Sequence, residues 1–98
     1  MRPVLHGDIS AAARALLAAP PAERRRLCAR MIAEAELADR HMCATGRLHP
    51  VLGNGSLMAA ARNRVLADEP GFDDLSYCQC FEMVLHLLIR FHLSQKHS

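Results

Sequence analysis

The chain has 98 residues, 51% of them apolar and 22% charged, which is the composition of one globular domain without room for a second core. The net charge of +2 is unevenly placed: residues 1–50 carry eight Arg against five acids, whereas residues 51–98 carry four basic residues against five acids. This asymmetry is too mild to indicate a dedicated nucleic-acid binder, and no apolar run of 18 residues is present to span a membrane.

The first predicted helix covers about residues 9–18. Asp8 stands where an N-cap residue is expected, and Pro20 and Pro21 end the helical pattern. The apolar residues that recur at helical spacing, and are expected to be buried, are Ile9, Ala12, Ala13, Leu16 and Leu17.

The second predicted helix is longer and covers about residues 21–45. Pro21 suits its first turn, and Gly46 suits the left-handed position that follows a helix end. Charged residues occupy one face, so the helix is expected to lie on the core with that face in solvent. Its predicted buried stripe is Leu27, Cys28, Met31, Ile32, Ala35, Ala38 and Met42.

The third predicted helix is short and follows the strongest turn signals of the chain, which are Pro50 and the run of residues 53–55. Ser56 is the expected N-cap, so this helix covers about residues 56–67. The side chains expected to be buried are Leu57, Met58, Ala61 and Val65.

The fourth predicted helix covers about residues 74–93, with Asp73 or Asp74 as its N-cap and a frayed tail over residues 95–98. Apolar side chains surround this helix except along one polar line, formed at spacing i, i+4 by Cys78, Glu82, His86, Arg90 and Ser94. A surface helix normally has a much wider polar face. The helix is therefore expected either at the centre of a bundle or in contact with another chain.

These elements predict an all-α fold, with residues 1–98 forming a single domain of four helices, the fourth central and the second laid across it. A chain this short covers an all-round apolar helix with difficulty, so self-association or docking to a protein partner is the leading functional hypothesis. The predicted interface is Phe81, Val84, Leu85, Leu88 and Phe91. In an antiparallel dimer, Glu82 of one chain would meet Arg90 of the other about His86.

A basic run offers a second functional hypothesis. Arg24, Arg25 and Arg26, with Arg30, could contact phosphates of a nucleic acid or an acidic partner. Three consecutive residues spread over about 200° of a helix, and no aromatic side chains are interleaved to stack on bases. A solvated helix face is the preferred interpretation of the run, and a nucleic-acid-associated module is the alternative.

A metal or thiol site is a further alternative. Cys78 and Cys80 are two residues apart on a helix, point about 200° away from each other and cannot share one ion. Combinations of Cys28 or Cys43 with His41 or His49 stay open. Packed, reduced thiols are preferred, so neither a cofactor nor a bound metal is predicted.

The glycine-rich loop before Ser56 resembles an anion cradle only in its exposed backbone N–H groups. A phosphate-binding loop would also need a preceding strand and a Lys, and the sequence has neither here. No nucleophile accompanies the acid and base of the fourth helix, so a non-enzymatic protein is expected.

Three segments look similar to a group of small uncharacterised helical proteins of alphaproteobacteria. They are residues 7–17 (GDISAAARALL), 49–61 (HPVLGNGSLMAAA) and 73–80 (DDLSYCQC). The resemblance covers most of the chain and implies a bacterial source, but it implies no activity. With no secretory leader recognisable, a cytoplasmic location is expected; an organelle transit peptide is the alternative, which Asp8 disfavours.

Overall fold

The computed structural model describes residues 1–96, and all regular structure in that range is helical. The elements are α1 (His6–Ala18), a single 3-10 turn (Pro21–Glu23), α2 (Arg24–Thr45), α3 (Leu57–Arg62) and α4 (Leu75–Lys96). The all-α fold class and the order of four helices are thereby confirmed. Within the described range, no helix is long and apolar enough to cross a membrane.

Helix α1, and not α4, is the most enclosed element. Seven of its 13 residues are buried, against four of the 22 residues of α4, and α1 packs on each of the other three helices. Its inward face is built largely from Ala11, Ala12, Ala13 and Ala15, whose small side chains allow neighbouring helices to approach closely. The prediction of a central α4 is therefore wrong, because an alanine-rich helix fits the crowded centre better than one carrying bulky side chains.

Helix α1 begins earlier than predicted because Asp8 does not act as its N-cap. The residue lies in the first turn, and its Oδ2 accepts a hydrogen bond from the backbone N–H of Leu5 (2.9 Å). Its Oδ1 accepts another from the N–H of Met58 in the first turn of α3 (2.9 Å). One buried carboxylate therefore serves the positive ends of two helices.

Helix α2 follows the prediction closely. The 3-10 turn opens it at Pro21, and Gly46 ends it in the left-handed conformation (φ 72°), with its N–H bonded to the carbonyl of Met42 (2.8 Å). The predicted stripe is buried at Cys28, Met31, Ile32, Ala35 and Ala38, and half-buried at Leu27 and Met42.

Helix α3 begins as predicted and ends five residues early. The Ser56 hydroxyl accepts the N–H of Ala59 (3.1 Å), which confirms the cap. Beyond Arg62, the Arg64 guanidinium donates to the Ala60 carbonyl (2.8 Å) and pairs with both carboxylate oxygens of Glu34 on α2 (2.7 and 2.8 Å). The chain then leaves the helix, and the predicted burial of Val65 is wrong, since that side chain is 80% exposed.

Helix α4 is capped by Asp74, whose Oδ1 accepts the N–H of Tyr77 (2.9 Å). The helix continues through Gln95 to Lys96, where a frayed tail was expected. The last two residues of that predicted tail lie outside the described range.

Candidate functional site

Helix α4 has an inner face that its own chain covers. Tyr77, Cys80, Val84 and Leu88 are buried against α1 and α2. Val84 is fully enclosed and Leu88 is 5% exposed, so neither side chain is accessible to a partner. Their place in the predicted interface is corrected, because they lie diametrically opposite the polar line and their burial forms the core.

The outer face of α4 carries an exposed apolar row, which we call the α4 stripe. Its members are Phe72, just before the helix, and Leu85, Ile89 and Leu93. Their side chains are 59, 44, 59 and 52% exposed, respectively. Single exposed apolar residues are ordinary on a protein surface, but a row of this length is typical of an interaction site.

Glu82 and His86 form a polar ridge between two grooves that run along α4. The groove on one side has a volume of about 430 Å³ and is lined by stripe residues together with Cys78 and Phe81. The groove on the other side is larger, about 590 Å³, and lies between α4 and the start of α2, with Arg24 and Arg25 on its wall. The exposed face of α4 therefore combines apolar walls with charges of both signs.

Two predicted interface residues border this face. Phe81 is half-buried and makes edge-on ring contacts with Phe72 (5.1 Å between centroids) and Tyr77 (5.9 Å). Phe91 is also half-buried and lines a third groove of about 460 Å³ against α2, beside the exposed Leu37. Of the five predicted interface residues, only Leu85 is exposed.

The basic run does not form one continuous surface. The Arg24 guanidinium lies against the end of α1, donating to the carbonyls of Leu16 (2.8 Å), Ala19 (3.2 Å) and Leu17 (3.4 Å). Arg24 is therefore a structural cap for α1, and its assignment as a nucleic-acid contact is corrected.

The other arginines of the run are exposed but diverge. Arg25 lies on the groove beside α4, whereas Arg26 and Arg30 lie around a small groove with Glu23. Glu34, on the same helix, pairs with Arg64 and not with an arginine of this run. A nucleic-acid contact stays a prediction for Arg25, Arg26 and Arg30 only.

The cysteines and histidines do not converge. Among residues 1–96, no three His, Cys, Asp or Glu side chains are placed to hold one metal ion. The four thiols are free, and Cys28 and Cys80 are buried. The His41 and His49 rings are in contact at 5.0 Å, but Nδ1 of His49 accepts the N–H of Leu52 (2.9 Å) within its own loop. This geometry gives no support to the metal alternative.

One polar cluster was not foreseen from the sequence. The hydroxyls of Ser10 and Tyr77 both donate to Oε1 of Glu69, and the two hydroxyl oxygens lie 3.3 Å apart. These hydrogen bonds lower the pKa of the exposed Glu69. The cluster fixes the connection between α3 and α4 against α1. The backbone N–H of Ala67 contributes to the same contact by donating a hydrogen bond to the carbonyl of Arg14 (3.1 Å).

The start of the chain forms another unforeseen polar contact. The Met1 amino group lies against α2, 2.7 Å from Glu36 and 3.0 Å from Asp39. Both acids belong to the face of α2 that was predicted to be solvated. No local sequence pattern signals these contacts, because Met1 is at least 35 residues away from either acid along the chain.

The sequence profile of one family matches residues 2–88, which include α1 to α3 and α4 as far as Leu88. The chain belongs to the domain-of-unknown-function family DUF7742. No curated protein and no solved structure matches the chain. The DUF7742 match includes Phe72, Glu82, Leu85 and His86, whereas Ile89, Arg90 and Leu93 lie beyond it.

Proposed function

We propose that this DUF7742 protein is a non-enzymatic interaction module of the bacterial cytoplasm that binds a protein surface through the exposed face of α4. The observation that carries the proposal is the α4 stripe, which exposes Leu85, Ile89 and Leu93 on consecutive turns of one helix. The proposed interface keeps Leu85 from the residues predicted from the sequence and replaces the buried and half-buried ones by the exposed Ile89 and Leu93 on the neighbouring face of the same helix.

Leaving the apolar side chains of the α4 stripe in water is unfavourable in free energy. Full transfer of a Leu, Ile or Phe side chain from water to an apolar contact contributes about 1.5–3 kcal/mol. The stripe residues are 44–59% exposed, so roughly half of this gain per residue is open to a partner. Four such residues in one row, beside a groove of about 430 Å³, offer a partner helix both an apolar surface and a shape to fill. Glu82 and His86 on the ridge add polar contacts that can select the partner.

Site-specific photo-cross-linking tests the proposal. A photoreactive amino acid is placed at Ile89 and, as the matched control, at Val51, an exposed apolar residue on the loop before α3. Irradiation in bacterial cells should yield a discrete cross-linked protein from position 89 and none from position 51, with mass spectrometry identifying the product.

The proposal is wrong if positions 85, 89 and 93 all give no more cross-linked product than position 51. A product that contains only this chain indicates self-association, and one that contains another protein indicates a different partner. Both of these results support an interaction module, and they differ only in the identity of what is bound.

A further inference from the structure

The charges on the outer face of α4 are arranged symmetrically about His86. Glu82 lies four residues before this histidine and Arg90 four residues after it, so each is about 6 Å away along the helix axis. All three side chains are exposed and lie on the same flank of the α4 stripe. A carboxylate and a guanidinium at equal distances from one point form a pattern that complements itself when the helix is reversed.

We propose that the occupant of the α4 stripe is a second copy of this chain, docked antiparallel about a two-fold axis beside His86. This inference rests on the proposed function and names its partner. Rotation about that axis brings Glu82 of each copy level with Arg90 of the other, so that the same ion pair forms twice. A parallel two-fold arrangement would instead place the two charged flanks on opposite edges of the contact, where neither ion pair can form.

The same rotation also brings the exposed apolar side chains together. Leu85 lies next to the axis and meets Leu85 of the second copy. Ile89 falls between the levels of Glu82 and Leu85 of the second copy, and Leu93 comes beside Cys78. The apolar side chains of the two helices therefore interdigitate in the register that pairs the charges.

The expected contact is small. The exposed face between Leu75 and Leu93 is about 27 Å long at 1.5 Å per residue, and each copy contributes a single helix with Phe72 at one end. This places the interface at the low end for specific contacts, below about 1,200 Å² in total. The dimer is accordingly expected to be in equilibrium with the monomer, with a Kd on the order of micromolar.

Charge exchange between the two positions tests the register. Analytical ultracentrifugation compares the full chain with Glu82→Arg, Arg90→Glu, the double variant, and an equimolar mixture of the two single variants. Each single variant replaces two attractive pairs by two repulsive ones and should raise the dimer Kd by about tenfold or more. The double variant restores both pairs in exchanged form, so its Kd should return to within about threefold of the parent value.

The equimolar mixture of the two single variants is the most specific test of the register. Glu82→Arg leaves arginines at both position 82 and position 90, and Arg90→Glu leaves acids at both, so the two variants should form a heterodimer although neither dimerises well alone. Glu23→Arg, a charge reversal at an exposed residue of the 3-10 turn away from the stripe, is the control and should leave the Kd unchanged. Circular dichroism confirms that every variant retains its helical content.

Failure of the inference is distinguishable from failure of the proposed function. The inference is overturned if the wild-type chain stays monomeric at high micromolar concentration, or if it dimerises but the single variants dimerise equally well. It is also overturned if neither the double variant nor the mixture recovers association. In each case the cross-linking at position 89 decides independently whether α4 binds a different protein.

Discussion

At the scale of single residues, Asp8 links two helices that are far apart in sequence. Its two carboxylate oxygens accept N–H groups at the starts of α1 and α3, and the side chain is only 6% exposed. A buried carboxylate is costly unless donors surround it, and here two helix N-termini provide both hydrogen bonds and positive partial charge. The start of α3, a possible anion site in the sequence, is therefore occupied by an acid of the chain itself.

Asp8→Ala should lower the free energy of unfolding by about 2–4 kcal/mol, because it leaves a donor unsatisfied at each helix start. Asp68→Ala removes the same charge from an exposed position and should change stability by less than about 0.5 kcal/mol. Urea denaturation of both variants measures the difference. Equal stabilities for the two variants would show that the shared cap contributes nothing.

The thiol of Cys28 should make the fold sensitive to alkali. Burial raises its pKa from 9.0 to about 12, while nearby Arg25 lowers it and Cys80 raises it to smaller extents. The folded state therefore holds this proton more tightly than the unfolded state does. The protonated Cys28 thiol therefore makes its full contribution to the free energy of unfolding below about pH 9. This contribution is lost as the pH rises towards 12, at up to about 1.4 kcal/mol per pH unit.

Denaturation between pH 8 and pH 10.5 checks this contribution. Stability should fall more steeply with pH in the wild type than in Cys28→Ala, whatever constant offset the smaller side chain introduces. Cys43→Ala, at an exposed position, should keep the wild-type slope. If the free energy of unfolding fell equally steeply with pH in the wild type and in Cys28→Ala, the raised pKa of Cys28 would be contradicted.

At the scale of elements, the sequence predicted the number and order of the helices and erred at ends that distant residues determine. Helix α2 was predicted correctly because its signals, Pro21 and Gly46, act within a few residues. The start of α1 depends on Asp8, which also bonds to Met58, and the end of α3 depends on Arg64 pairing with Glu34. Separations of 50 and 30 residues leave no trace in a local pattern.

The glycines at two helix ends differ in what surrounds them. Gly55 has a φ of +90°, and a Cβ added there would lie 2.7 Å from the Cα of Asp39 in α2. Gly46 has a φ of +72°, and no atom lies within 4 Å of an added Cβ. The first position requires glycine for its conformation and for close packing, whereas the second requires it for conformation only.

Gly46→Ala should therefore lower the free energy of unfolding by about 1 kcal/mol, the cost of the left-handed conformation alone. Gly55→Ala should cost about 3 kcal/mol or more, because the loop before α3 must also move away from the α2 backbone. Thermal and urea unfolding of the pair measure the difference. If both variants lost the same amount, the close approach of this loop to α2 would be refuted.

At the scale of the whole molecule, four of the five residues that the sequence predicted as an interface on α4 are buried or half-buried within the chain itself, and only Leu85 is exposed. An apolar periodicity that surrounds a helix cannot say which side faces the core. The polar line indicates which side of the helix faces the core. Glu82, His86 and Arg90 must face water, so the residues opposite them must be buried. That reasoning selects Tyr77, Cys80, Val84 and Leu88 for the core, as observed, and leaves Leu85 and Ile89 outside.

Two adjacent residues of α4 should therefore respond oppositely to the same change. Leu88→Glu places an unpaired carboxylate in the core and should unfold the protein or cost it more than about 4 kcal/mol. Ile89→Glu adds the same charge to an exposed position, so its free energy of unfolding should change by about 0.5 kcal/mol or less while its association is lost. Circular dichroism with thermal unfolding measures the first effect, and sedimentation measures the second. Val51→Glu should retain both stability and association, and a stripe that tolerates Ile89→Glu with undiminished association would not be the surface through which this protein binds.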